Sequence, residues 1–152
     1  MPHRINITIH DQQLQHHDAD GSLLAQYSIS SAANGIGFKE GSFTTPTGRF
    51  KIAEMIGQGA EPFTVFKGRQ PVGTHDPLHA SDDDLITSRI IWLDGLDADN
   101  ANTKERYIYI HGTNHEEQIG TPCSCGCIRM LNADIIELFD ALPADASITI
   151  NA

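Results

Sequence analysis

Short runs in which apolar and polar residues alternate constrain this chain more than any other feature. Ile5, Ile7 and Ile9 alternate with Asn6, Thr8 and His10, and such a period of two is that of a strand with one face buried. The same reading places strands at Arg4–His10, Leu23–Ser30, Arg49–Met55, Phe63–Phe66, Ile86–Leu93, Tyr107–His111 and Ser147–Ile150. Turn residues at Asp18–Gly21 predict a hairpin between the first two. One segment breaks the pattern: Ile135, Leu138, Phe139 and Leu142 recur at helical spacing, with Asn132 as the expected N-cap and Pro143 as the stop. Many short strands with one or two short helices define a mostly-β fold, a sandwich or a partly open barrel. At 152 residues, with no linker or repeat, residues 1–152 form one expected domain.

Composition narrows the function. A formal net charge of −10 repels nucleic acid and anionic membrane surfaces, so neither is an expected partner. No apolar run approaches the roughly 18 residues a membrane span needs. The start, Met1-Pro2-His3-Arg4, leads straight into the first strand without the apolar core of a secretory leader, which favours the cytosol. Lys67–Asp84 is rich in Pro, Gly, His and Asp and reads as a long loop, either a flap over a cleft or plain surface. Its run Asp82-Asp83-Asp84 is most simply a solvated face, and Pro77 argues against a metal-binding helix through His75 and His79. Trp92 is expected in the core. His115-Glu116-Glu117 reads as a solvated loop or a cleft rim.

Chemistry concentrates in the last third. His111 ends an apolar strand at His111-Gly112-Thr113, and Cys123-Ser124-Cys125-Gly126-Cys127-Ile128-Arg129 follows. Three thiols within five residues do not form a disulfide framework; they suit reactive or metal-binding chemistry. A free thiol titrates near about 8.5, and an imidazole is the usual partner that turns it into a nucleophile by lowering that value. Gly126 permits a tight turn before Cys127, and the amides around the two could face a developing oxyanion. Spacing alone leaves the choice of thiol open, and it leaves open a non-catalytic Cys-x-Cys-x-Cys metal or redox module.

The run from His111-Gly112 to Ser124-Cys125-Gly126-Cys127-Ile128-Arg129, with Cys127 sixteen residues after the His, resembles the signature of the L,D-transpeptidase (YkuD-like) family. Thr45-Pro46-Thr47-Gly48 resembles that family's Thr-Pro-x-Gly segment, and the likeness spans roughly residues 28–150. Cys125 stands where the family usually has His. The resemblance implies a YkuD-like β fold with Cys127 as nucleophile, His111 as base and the Gly112 carbonyl orienting the imidazole. It also implies that Ser124 steadies the nucleophile loop, and that Arg129 either binds a substrate carboxylate or pins that loop. Gly126, Ser124, Arg129 and Cys125 form the expected oxyanion and substrate-binding set, with no cofactor and no metal. The implied substrate is a peptidoglycan tetrapeptide stem or muropeptide, cleaved between the diamino acid and D-Ala through a Cys127 thioester. Water as acceptor gives L,D-carboxypeptidase trimming of recycled muropeptides, favoured by a cytosolic location. An amine gives 3→3 cross-links, the expectation if a leader directs the protein to the periplasm.

Overall fold

The computed structural model describes residues 2–152; Met1, the first residue of the run read above as leading into the first strand, lies outside them. The strands are β1 (Arg4–Thr8), β2 (Gln13–His17), β3 (Leu23–Ser30), β4 (Gly48–Ile56), β5 (Thr64–Lys67), β6 (Gln70–Thr74), β7 (Ile86–Gly95), β8 (Tyr109–Thr113), β9 (Ile128–Met130) and β10 (Ser147–Asn151). One helix, α1, covers Asn132–Ala141, and a single 3-10 turn covers Glu116–Gln118. All ten strands belong to one sheet in the order β4-β10-β1-β2-β3-β9-β8-β7-β5-β6. The sheet curls until β7 also pairs with β4. One edge of β7 is thereby divided: Ile90–Gly95 pair with β4, while Ile86 and Thr87 pair with β5. Of the two expected architectures, this is the barrel, with the β5–β6 hairpin as a flange. No helix among the described residues is long and apolar enough to cross a membrane.

Alternation does what the sequence predicts. Ile5, Ile7, Leu14, Ile29, Phe50, Ile91, Leu93, Ile110, Ile128, Met130, Ile148 and Ile150 turn inward and are buried. Ile135, Leu138, Phe139 and Leu142 of the helical segment join the same core.

Several expectations change. The Asp18–Gly21 turn joins β2 to β3, not β1 to β3, and β1 pairs with β2. The missed β1–β2 turn contains neither Gly nor Pro. Gln12 takes φ 51° there, and its side-chain amide donates to the Ile9 carbonyl at 2.8 Å, doing locally what a glycine turn does. β6 lies inside the supposed loop; exposed along its length, it carries no alternation to read. The β8 strand begins at Tyr109, because Tyr107 adopts φ 56°. Trp92 is half-buried outside the main core, its indole N–H donating to the Lys104 carbonyl at 3.1 Å.

Asn132 is not the N-cap; Leu131 occupies that position without a side-chain cap. The Asn132 side chain is instead buried at a three-way junction. Its Oδ1 accepts from the Thr87 and Ser88 hydroxyls, and its Nδ2 donates to the Thr113 carbonyl at 2.8 Å. Ser88 and Arg89 are the residues β7 inserts between its pairings with Gly112 and His111, and Ser88 has φ 69°. Asn132 therefore holds a bulge beside His111, a place where bulges re-aim side chains. Asn132→Leu should cost about 2–4 kcal/mol, because three buried polar groups lose their partner at once. Urea unfolding of the two proteins measures it, and a loss no larger than a surface substitution gives would exclude this role for the junction.

Candidate active site

Two neighbouring strands build the site. β8 and β9 run parallel, with His111 opposite Arg129 and Ile110 opposite Ile128. Since side chains alternate along a strand, Tyr109 and His111 share a face with Cys127 and Arg129. Ile108, Ile110, Ile128 and Met130 point the other way into the core. The opposite face is lined by packed hydrocarbon, so the four chemical residues sit on a rigid base. A cavity of about 110 Å³ is bounded by Asp84, Ile86, His111, Ser124, Cys125, Cys127 and Arg129.

The loop before Cys127 is tied down at Cys123, Ser124 and Gly126. Cys123 and Ser124 both donate their amides to the Ser31 carbonyl at 2.9 Å. Ser124 Oγ donates to the Cys127 carbonyl at 2.6 Å and accepts the Gly126 amide at 3.2 Å. That amide, expected among the oxyanion donors, is thus engaged within the loop. Thr45 Oγ1 donates to the Gly126 carbonyl at 2.9 Å, so the Thr-Pro-x-Gly segment is both a turn and a brace for the loop before Cys127. Gly126 has φ 129°, and a Cβ there would lie 3.1 Å from the Thr44 carbonyl oxygen. No other residue fits that position without strain.

His111 is buried, and its Nδ1 is hydrogen-bonded to the Gly112 carbonyl. A carbonyl only accepts, so Nδ1 carries the proton and the Nε2 lone pair remains available as a base. Gly112 must be glycine for a packing reason: a Cβ would fall 2.6 Å from the Thr87 carbonyl oxygen and 2.7 Å from Asn132 Oδ1.

The three thiols occupy three different surroundings. Cys127 Sγ accepts the Tyr109 amide and donates to the Tyr107 carbonyl, each at 3.3 Å. Cys123 lies 3.5 Å from Arg129 Nη1, and Cys125 is exposed. No group of three or more metal-capable side chains converges among the described residues, so the alternative of a Cys-x-Cys-x-Cys metal module is unsupported.

Arg129 is buried, and its Nη2 pairs with Asp84 at 2.7 Å. Asp84, read from the sequence as part of a solvated acidic face, therefore enters the cavity at Cys127. The segment is clamped there by Asn114, which accepts from the Leu85 amide and donates to the Asp83 carbonyl. Arg106, also passed over, donates to the Gly37 carbonyl at 3.1 Å and the Thr44 carbonyl at 2.7 Å, bracing the loop that packs on Gly126. Neither residue belongs to a spacing or a motif, and each is found only through its contacts. His75 and His79 stay apart from Cys127, in a separate cavity of about 410 Å³ that His115 also lines.

Burial governs the electrostatics. It pushes the Cys127 thiol up to about 11, against the opposing effects of the Tyr109 amide and Arg129, while Asp84 adds to the rise. It lowers His111 below the ordinary imidazole value, only partly offset by the Gly112 carbonyl and Asp84. A thiol raised and an imidazole lowered favour the neutral pair, the reverse of the lowered thiol expected from the sequence.

A barrel whose parallel strands present Cys and His to one small cavity, with a backbone carbonyl fixing the imidazole, has the parts of a cysteine acyl-transfer enzyme. The chain belongs to the L,D-transpeptidase family: the model of the YkuD L,D-transpeptidase catalytic domain matches residues 2–150. It is 34% identical over 112 residues to YqjB of Bacillus subtilis (strain 168), named as a candidate L,D-transpeptidase, covering 73% of this chain and 59% of that protein. The fold resembles L,D-transpeptidase 3 of Mycobacterium tuberculosis in complex with a faropenem-derived adduct (TM-score 0.65, 12% identity, 99% of this chain and 60% of that one). It also resembles the L,D-transpeptidase of Xylanimonas cellulosilytica (TM-score 0.62, 18% identity, 98% and 60%). At such identities the likeness is one of fold, and the chain spans about three-fifths of these relatives' lengths.

With a neutral resting pair, alkylation of Cys127 by iodoacetamide should keep accelerating from neutral pH towards the raised thiol value near 11. Peptide mass mapping across the pH range reads this rate for Cys127 alone. A rate already level below neutrality would reveal a standing thiolate–imidazolium pair instead.

Proposed function

We propose that residues 1–152 form a single catalytic domain that cleaves the diamino acid–D-Ala bond of peptidoglycan tetrapeptide stems through a Cys127 thioester. The observation that carries this reading is the parallel register that sets His111 and Cys127 on one face, with Nδ1 of the imidazole committed to Gly112. His111 Nε2 takes the thiol proton as sulfur attacks the carbonyl carbon. The same imidazolium then gives that proton to the departing amine of D-Ala, leaving the acyl group on Cys127. Because the resting thiol donates to the Tyr107 carbonyl, the sulfur turns from that carbonyl towards His111 when substrate enters. Proton transfer is then part of the attack, with no charge pair maintained beforehand.

The acceptor we favour is water, which gives L,D-carboxypeptidase activity on free muropeptides. The cavity at Cys127, about 110 Å³, has room for a few waters at roughly 30 Å³ each. A second reading, transpeptidation to 3→3 cross-links, has its own support. A cavity of about 270 Å³ that also reaches Cys125 is lined by Glu40 and Glu105, carboxylates suited to the ammonium of an acceptor stem, and by Arg106, whose guanidinium donates to the Gly37 and Thr44 carbonyls. Ser124 acts here as the brace of the nucleophile loop. Arg129, engaged with Asp84 and Cys123, acts as its pin. A substrate carboxylate reaching Arg129 would have to displace Asp84.

Incubation with a tetrapeptide muropeptide, with products read by mass, should give the tripeptide and free D-Ala. Dimers as the main product would favour the transpeptidase reading. Cys127→Ala should abolish release of D-Ala while Cys125→Ala retains it. Faropenem, which forms an adduct in the Mycobacterium tuberculosis relative, should add one acyl mass to the wild type and to Cys125→Ala but none to Cys127→Ala. Acylation that survives in Cys127→Ala would mean that the nucleophile lies elsewhere.

A further inference from the structure

A second cavity, of about 250 Å³, adjoins the catalytic one and shares Asp84 and Ile86 with it. Its rim is the turn of the β5–β6 hairpin. Lys67 pairs with Gln70, leaving Gly68 and Arg69 as a two-residue loop with φ of 55° and 65°. Both values are positive, as a type I′ turn requires, and glycine or asparagine is the residue such a turn favours at its second position. Arg69 is neither. A bulky residue held in the left-handed region costs backbone energy and persists where its surroundings enforce it, often at a ligand clamp.

Those surroundings are on one side aromatic. The Arg69 guanidinium lies 4.8 Å from the centre of the Trp92 ring and 5.4 Å from that of Tyr107, and its Nη1 donates to the Tyr109 hydroxyl at 3.3 Å. Tyr109 is the residue whose amide donates to Cys127 Sγ, so the cation is fixed to the strand that holds the nucleophile. Tyr107, at the other side, is itself left-handed and gives its carbonyl to the Cys127 thiol. Among the described residues no carboxylate forms an ion pair with Arg69, whereas Arg129 has Asp84 and Arg49 has Asp97. Charge on the cavity wall points the same way. In a chain of net charge −10, Lys67 and Arg69 line this cavity against one carboxylate, Asp84, which Arg129 already neutralises.

We infer that Arg69 is a specificity-determining residue that receives the free C-terminal carboxylate of the acyl-donor peptide in the cavity between the β5–β6 turn and Cys127. Two aromatic rings and the Tyr109 hydroxyl hold the guanidinium and leave its remaining N–H groups open for a carboxylate, which a planar fork binds better than an ammonium does. This deepens the functional reading above and rests on Cys127 being the nucleophile of a peptide stem.

The test compares a tetrapeptide stem with its C-terminal carboxamide, by calorimetric binding to the Cys127→Ala protein and by D-Ala or D-alaninamide release from the wild type. The acid should bind about tenfold more tightly than the amide, the effect of one charge-assisted hydrogen-bonded pair. Adding Arg69→Gly should erase that difference while leaving amide binding unchanged, and Arg69→Lys should keep part of it. Glycine suits the left-handed position, so this variant folds. In turnover, Arg69→Gly should raise KM for the acid about tenfold with kcat little altered. A preference for the acid that survives in Arg69→Gly, or no preference in the parent, overturns the assignment, as does failure of both peptides to bind. If the Arg69-dependent preference is present in binding but the wild type releases no product, the carboxylate site stands and the assigned chemistry fails.

Discussion

The site depends on one short contact, the parallel pairing of β8 with β9. It has three registered positions, and a slip of one residue would carry His111 or Cys127 to the core face. So short a pairing does not set its own register. Its position is imposed by the polar anchors around it: Ser124 bridged to Ala32, the Ser31 carbonyl on two successive amides, and Thr45 on Gly126. On the far side, Asn132 ties the end of β8 to the bulge of β7. Buried polar networks of this kind are costly unless every member is satisfied, which is why they specify one arrangement.

Rigidity and reactivity are linked through burial. The same packing that fixes the imidazole removes water from it and from the thiol, so both prefer to be neutral at rest. Asp84 and Arg129 oppose one another in this field, since Asp84 favours the imidazolium while Arg129 favours the thiolate. Their ion pair sets the two opposing charges side by side on the cavity wall.

Backbone strain gathers around this point. Ser88, Tyr107 and Arg69 are three of the non-glycine residues at positive φ, with values of 69°, 56° and 65°. Ser88 belongs to the bulge next to His111, Tyr107 gives its carbonyl to the thiol, and Arg69 rests on Tyr107 and Trp92. Each is held by contacts outside its own element. Strain of about 1–3 kcal/mol per residue is sustained because a large closed sheet supplies the compensating burial.

By itself the sequence determined the class of fold and singled out His111 and Cys127 as the candidate pair. Alternation at Ile5, Ile7 and Ile9 and helical spacing from Ile135 to Leu142 are local properties, and local steric preference expresses them directly. His111-Gly112 and Ser124-Cys125-Gly126-Cys127 were legible for a similar reason: short motifs carry their chemistry in residue type and spacing. β2 and β6 escaped notice because His16 and a wholly exposed edge leave no apolar rhythm, and Asn132 was misplaced because its residue type suits a cap as well as a buried junction. Only the closed barrel decided that Asp84, within an unremarkable acidic run, meets Arg129, that Trp92 faces Arg69 instead of the core, and that the thiol is held neutral. Those outcomes depend on which distant segments are pressed together and how much water they exclude, and no local pattern encodes either.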